Sequence, residues 1–229
     1  MRKLLILVMS VIVMSSCMRS RQVRFSILGD SYSALEGTVY PDTNKVFTYD
    51  KIGIEGPEQM WWWQVADSLD WQLDKNNSFS GSLISDKNAS KYSFIRRMDN
   101  LGNPDVIFVL GGANDIRCEV PFGDYVYSTW TEEQLCTFRP ALAYLLDGLK
   151  QHYPKAKIYF LFDTNPWKGS TDAETRLKLM ESVHRITYHY KVDCIDLYDL
   201  HVANMHPSIL GQKDISDQVI DYLLTEKER

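Results

Sequence analysis

Four short clusters of small, polar and ionisable residues punctuate this 229-residue chain, each directly after an apolar run. Gly29-Asp30-Ser31-Tyr32-Ser33 follows residues 23–28, and Gly111-Gly112-Ala113-Asn114-Asp115 follows residues 105–110. Asp163-Thr164-Asn165-Pro166 follows residues 157–162, while the stretch from Asp199 to His206-Pro207, with Gly211 beyond it, follows residues 192–197. Hydroxyl, imidazole, amide and carboxylate groups are the working parts of acyl transfer. A serine is a weak nucleophile until a neighbouring base takes its proton, and the oxyanion formed on attack needs donors aimed at it. Other chemistries lack their signatures. There is no GxGxxG and no GxxxxGK[ST] to cradle phosphates, and no HExxH. The GxSxG nucleophile elbow is also absent, which disfavours an ordinary α/β-hydrolase.

The apolar runs themselves predict the scaffold. Residues 23–28, 105–110, 157–162 and 192–197 read as buried strands, and residues 71–73 lead a short further one. Residues 37–57 and 76–90 are rich in Gly, Asn, Ser and Asp and read as loops; a loop as long as the first is usually functional. A helix is predicted over residues 60–69. Thr131-x-x-Gln134 forms a capping box, and Pro140 suits the first turn of a second helix. Leu142, Leu145, Leu146 and Leu149 continue that helix to Tyr153-Pro154. Asp172 is a candidate N-cap for a helix whose inner face is marked by Leu177, Met180, Val183 and Tyr190. Ile215, Val219, Ile220 and Leu223 stripe the last helix. Strands alternating with helices imply an α/β fold: a three-layer α/β/α sandwich around a parallel sheet of about five strands. Ligands of such sheets bind beyond the carboxyl ends of the strands, where all four clusters fall.

Composition is that of a globular chain, 45% hydrophobic and 24% charged. A net charge of −5 lacks the basic footprint that phosphate backbones require, so no nucleic-acid partner is expected. At the start, Arg2 and Lys3 precede an apolar run over residues 4–14, then Ser15, Ser16 and Cys17. That pattern reads as an export signal, too short for the roughly 20 residues of a spanning helix. Small residues before Cys17 resemble a bacterial lipobox, although Met14 stands where leucine is usual. The expectation is a lipoprotein signal peptide (residues 1–16), lipidation at Cys17, a linker over residues 17–22 and a single domain over residues 23–229. The mature chain, anchored by its lipid in the bacterial cell envelope, keeps 213 residues and a net charge of −7. Cys118, Cys136 and Cys194 remain, and in an exported protein Cys118 and Cys136 can close one loop. None has zinc-type spacing, so no structural metal is expected.

In their order along the chain the blocks resemble the SGNH (GDSL-type) hydrolases, whose fold is flavodoxin-like. Gly29-Asp30-Ser31 is similar to that family's nucleophile block, Gly81 to its second-block glycine, Gly112-Ala113-Asn114-Asp115 to its GxND, and His206-Pro207 to its histidine block. The likeness covers about residues 23–224. It implies Ser31 as nucleophile and His206 as base. It also implies an oxyanion hole from the Ser31 and Gly81 backbone N–H groups and the Asn114 amide, with no metal or organic cofactor. One position departs. The family's DxxH places an aspartate three residues before the histidine, and here that position is Ala203. Either a Ser–His dyad suffices, or Asp199 or a backbone carbonyl orients the imidazole, or the enzyme is impaired.

Each residue has a plainer role to set beside this one. Ser31 can cap a helix, and Asn114 can stabilise a turn. His201 is the rival base; His152 suits a helix C-terminus, and His184 and His189 suit a helix surface or core. Asp30 and Asp115 suit loop bracing. Trp61, Trp62 and Trp63 cannot all face inward on one helix. At least one is therefore a candidate for a sugar platform at the mouth of the site, with Trp130 and Trp167 as possible partners. The reading is a serine esterase acting on acyl esters, O-acetyl groups on carbohydrate foremost. The alternatives are a glycan-binding surface lipoprotein without turnover and an acyltransferase on the same acyl-enzyme.

Overall fold

The computed structural model describes residues 21–87, 91–166 and 171–227. Five strands form one parallel sheet: β1 (Arg24–Gly29), β2 (Gln72–Ser78), β3 (Val106–Leu110), β4 (Lys157–Asp163) and β5 (Asp193–Leu197), in the order β2-β1-β3-β4-β5. Side chains alternate across the sheet, so β3 sends Ile107 and Val109 to one face and Val106, Phe108 and Leu110 to the other. On the first face the sheet is covered by α2 (Phe94–Arg97), α5 (Phe138–His152) and α6 (Ala173–Tyr190). On the second it is covered by α1 (Trp61–Leu69) and α7 (Ile209–Lys227). Short helices α3 (Ala113–Arg117) and α4 (Glu132–Leu135) follow β3. The three-layer α/β/α architecture is as expected, and no helix among the described residues is long and apolar enough to cross a membrane.

Local signals held where chain chemistry alone sets the outcome. The Thr131 hydroxyl accepts from the Gln134 amide while the Gln134 side chain reaches back to the Thr131 N–H. Asp172 caps α6 by accepting from the Thr175 N–H at 2.9 Å.

Three expectations need correction. Residues 76–78 belong to β2, not to a loop. Their polar side chains are buried by hydrogen bonds at a sheet edge: Asn76 Nδ2 donates to the Ser33 carbonyl at 2.9 Å and Ser78 Oγ to Asn76 Oδ1 at 2.6 Å. The inner face of α6 is Leu179, Val183, Ile186 and Tyr190, while Leu177 is 61% exposed. Cys118 and Cys136 do not pair, and Cys194 is a free thiol as well.

Between β5 and α7 a miniature hairpin joins β6 (Val202–Ala203) to β7 (His206–Pro207), with Ala203 opposite His206. Asn204 and Met205 make its turn at φ +49° and +61°. Two left-handed residues in succession are what a tight turn of the primed type needs to match strand twist. The sequence reading contained no such hairpin.

Candidate active site

The carboxyl edge of the sheet assembles the expected residues from four separate stretches of chain. Ser31 lies in the turn directly after β1 and is buried; no helix begins there, so it is not a helix cap. His206, on β7, places Nε2 3.0 Å from Ser31 Oγ. Its Nδ1 lies 2.9 Å from the Asn204 carbonyl. A carbonyl only accepts, so Nδ1 carries the ring hydrogen and Nε2 is left as an acceptor facing the serine hydroxyl. Both ring nitrogens are therefore engaged, and neither partner is Asp199. The turn that replaces the aspartate supplies the orienting oxygen from its own backbone. The rival base His201 is exposed and bonds Asp214 at 2.8 Å through Nδ1.

The long loop over residues 37–57 closes on this pair. Phe47 stacks on the His206 ring at 3.7 Å with an interplanar angle of 19°, and Tyr32 meets it edge-on at 5.8 Å. The Tyr49 hydroxyl donates to the Ser31 carbonyl. Burial holds the His206 imidazolium below its ordinary pKa of 6.5; the Asn204 carbonyl opposes that shift, and the Arg117 charge adds to it. Gln212 on α7 ties the turn down from below, donating to the Tyr32 carbonyl at 3.2 Å and accepting from the Trp61 N–H at 3.0 Å.

Gly81 sits in the loop after β2 at φ +82°, where a Cβ would enter open space. The left-handed backbone is the reason for glycine here. Neither the Gly81 nor the Ser31 N–H donates to any group among the described residues. Asn114 Nδ2 directs its two hydrogens at Asp30 Oδ2 and the Ser82 carbonyl, both at 3.1 Å. Its neighbour Asp115 accepts from the Ile84 and Ser85 N–H groups at 2.8 and 3.0 Å. The start of α3 thus fixes the Gly81 loop with two adjacent side chains. Burial raises the Asp115 carboxyl to about 6 and that of Asp30 to about 7; the Tyr32 N–H and the Arg97 charge pull Asp30 back. Both aspartates brace loops, as expected.

Sequence reasoning missed Arg97. Only 6% exposed, it donates to the carbonyls of Gly29, Asn77 and Tyr92 and to Ser82 Oγ. Nothing in the sequence marks it out from Arg96 beside it.

The tryptophans distribute differently from the expected platform. Trp61 and Trp62 are core, and the Trp61 indole N–H donates to Ser33 Oγ at 3.0 Å. Trp63 is 45% exposed but borders a hollow with Gln22, Trp71 and Gln72, at the end of the sheet where β1 and β2 begin. That is the opposite end from Ser31. Trp130 packs on Tyr144, and Trp167 lies outside the described residues, as does Cys17.

A cleft of about 530 Å³ is lined by Met205, the residue before His206, together with Arg117, Glu119, Thr171, Asp172 and Thr175, while Ser31 and His206 themselves do not line it. A hydroxyl and an imidazole in contact, beside unengaged backbone donors at the carboxyl edge of a parallel sheet, place the molecule among the α/β/α ester hydrolases. More narrowly, the chain belongs to the GDSL-like lipase/acylhydrolase family, which matches residues 23–223. It is 41% identical to a GDSL-like lipase from Bacteroides ovatus, covering 90% of this chain and 100% of that one with a TM-score of 0.80. A second GDSL-like lipase, from Bacteroides uniformis, is 36% identical over 89% of this chain and 96% of its own, also at 0.80. An acetyl xylan esterase from the rumen bacterium Butyrivibrio proteoclasticus shares the fold at 17% identity, with a TM-score of 0.56 over 90% of this chain and 64% of that one. No curated protein matches the sequence.

Proposed function

We propose that this ester hydrolase works through a Ser31–His206 dyad and removes short acyl groups, acetyl foremost, from carbohydrate. The observation that carries the reading is the chain of contacts from Ser31 Oγ to His206 Nε2 and from Nδ1 to the Asn204 carbonyl. His206 Nε2 takes the Ser31 proton as Oγ bonds the ester carbon. The same proton passes to the departing sugar oxygen, leaving an acyl-enzyme. Water then gives a proton to His206 as it attacks, and His206 passes that proton to Ser31 Oγ on release of the acid. The Ser31 and Gly81 N–H groups receive the oxyanion. Asn114 joins them by turning one hydrogen from its 3.1 Å partner as charge develops.

A carbohydrate leaving group is supported by the polar side chains of Arg117 and Glu119 in the cleft next to Met205; Thr171, Asp172 and Thr175 already bond to Pro166 and to one another. The acetyl xylan esterase of the same fold supports the substrate class by analogy alone. Release of acetate from acetylated xylo-oligosaccharides, set against hydrolysis of butyryl and octanoyl esters, tests this reading. Acetyl esters are expected to give the highest kcat/KM; faster turnover of octanoyl esters would overturn the acetyl assignment.

Two expected outcomes follow from the site. Removing one oxyanion donor, by Asn114→Ala, lowers kcat about 10²–10³-fold with KM little changed. A raised KM at constant kcat would instead make Asn114 a ground-state contact. The second concerns pH. His206 must be neutral to accept a proton, and its pKa lies below 6.5, so kcat/KM rises with pH through an inflection below 6.5 and is level above it. An inflection at 7 or higher would mean that a carboxylate, not a carbonyl, supports the ring.

We extend the proposal to location: residues 1–16 direct export and Cys17 carries the lipid anchor. Loss of lipid mass in a Cys17→Ser protein is the expected result; an unchanged mass removes the anchor from the account.

A further inference from the structure

Away from the acyl-transfer site, three side chains of different chemistry converge where α6 covers the sheet edge. Cys194 and Asp196 are two residues apart on β5 and so project to the same face, and β5 is an edge strand. His184 reaches them from α6. Its Nε2 lies 2.8 Å from Asp196 Oδ1, and Cys194 Sγ lies 3.6 Å from the same oxygen. All three donor atoms fall within 4.8 Å of one another, and all three residues are half-buried.

We propose that His184, Cys194 and Asp196 form a zinc site that ties α6 to β5. The donor set is one imidazole nitrogen, one thiolate and one carboxylate oxygen, the mixture that a borderline-soft dication accepts, with water as fourth ligand. Tetrahedral zinc with bonds of the usual length spaces such atoms by about 3.3–3.6 Å. The sulfur–oxygen separation already meets that spacing, and the nitrogen–oxygen pair needs to open by only about half an ångström. An outer partner is in place: the Tyr198 hydroxyl donates to Asp196 Oδ2 at 3.0 Å, leaving Oδ1 for the metal. There is also a route in. His184 borders an open hollow of about 670 Å³ between Met180 and Tyr188, with Glu181 on its rim. Binding exchanges the Cys194 S–H bond for a zinc–sulfur bond and releases the proton to solvent, with no change of oxidation state.

Sequence spacing hid these ligands because two lie on a strand and the third on the preceding helix. The site is distant in role from Ser31, so its expected effect is on stability and metal content. The test is titration of the purified, chelator-stripped protein with Zn²⁺ against a chromogenic competitor, repeated for Cys194→Ala and for His184→Gln, whose parent side chain is 42% exposed and so tolerates the change. The wild type is expected to bind one equivalent and to gain thermal midpoint with zinc. Each variant should bind more than about 100-fold more weakly, since loss of an outer partner alone costs 10–100-fold. With Co²⁺, a thiolate charge-transfer band is expected in the wild type and in Cys118→Ala and Cys136→Ala, and should vanish in Cys194→Ala. Absence of stoichiometric zinc binding, or binding undiminished in both His184→Gln and Cys194→Ala, would overturn the proposal.

Discussion

Ser31→Ala is expected to lower kcat on an acetate ester by about 10⁴–10⁶-fold, the equivalent of about 5–8 kcal/mol of barrier. The effect is large because alanine removes the only bond-forming atom, while the donors of Gly81 and Asn114 still bind substrate. KM should therefore change little. His206→Ala removes the acceptor 3.0 Å from that oxygen and is expected to cost a comparable factor. The double variant should be no slower than either single one, since a nucleophile and its base act as one unit. Multiplicative losses would show that the two residues work independently, and a Ser31→Ala protein with a tenth of wild-type turnover would place the nucleophile elsewhere.

The second large effect is on stability. Arg97→Met is expected to destabilise the fold by about 3–5 kcal/mol, which for a domain of this size lowers the thermal midpoint by about 6–20 °C. The side chain is nearly unexposed, and its fork satisfies the Gly29 and Asn77 carbonyls at the ends of β1 and β2. Methionine fills similar volume but removes the Arg97 donors to the Asn77 and Tyr92 carbonyls and one of two donors to the Gly29 carbonyl, which keeps the Phe79 N–H at 3.0 Å. Burial pushes the guanidinium below its ordinary pKa, and the nearby Asp30 charge opposes that shift. Losing the cation thus also removes what restrains the Asp30 carboxyl. Arg97→Lys should recover only part of the loss, because one ammonium cannot replace a planar fork to several acceptors. Calorimetry showing less than 1 kcal/mol for Arg97→Met would mean that water satisfies the freed carbonyls.

Where the sequence read well, a single physical rule decided the outcome. VIFVL in β3 is buried on both faces and so is apolar throughout, and the leucines of α5 recur at helical spacing. The Thr131 box and the Asp172 cap act within four residues and need no tertiary context. Ser31, Gly81, Asn114 and His206 are legible through their resemblance to the SGNH blocks, and Ser31, Asn114 and His206 also follow predicted strands at the edge where sites form. Where it read poorly, tertiary contacts reversed the local signal. Asn76, Asn77 and Ser78 look like loop residues because they are polar, yet their polarity serves a buried hydrogen-bond network. Leu177 looks like core by spacing and faces solvent. The Asn204 carbonyl carries no residue-type signature, so the replacement for the absent aspartate was legible only as one option among several. Phe47, stacked on the imidazole, sits in a loop without periodicity, and nothing nearby in the chain announces its contact.

The central claim is that Ser31 is an activated nucleophile, and covalent capture tests it most directly. Purified protein would be treated with a fluorophosphonate and its peptides mapped by mass spectrometry. One adduct is expected, on the peptide carrying Ser31, formed at least about 10³-fold more slowly in His206→Ala. A label on any other residue, or labelling of Ser31 at the same rate without His206, would contradict the dyad.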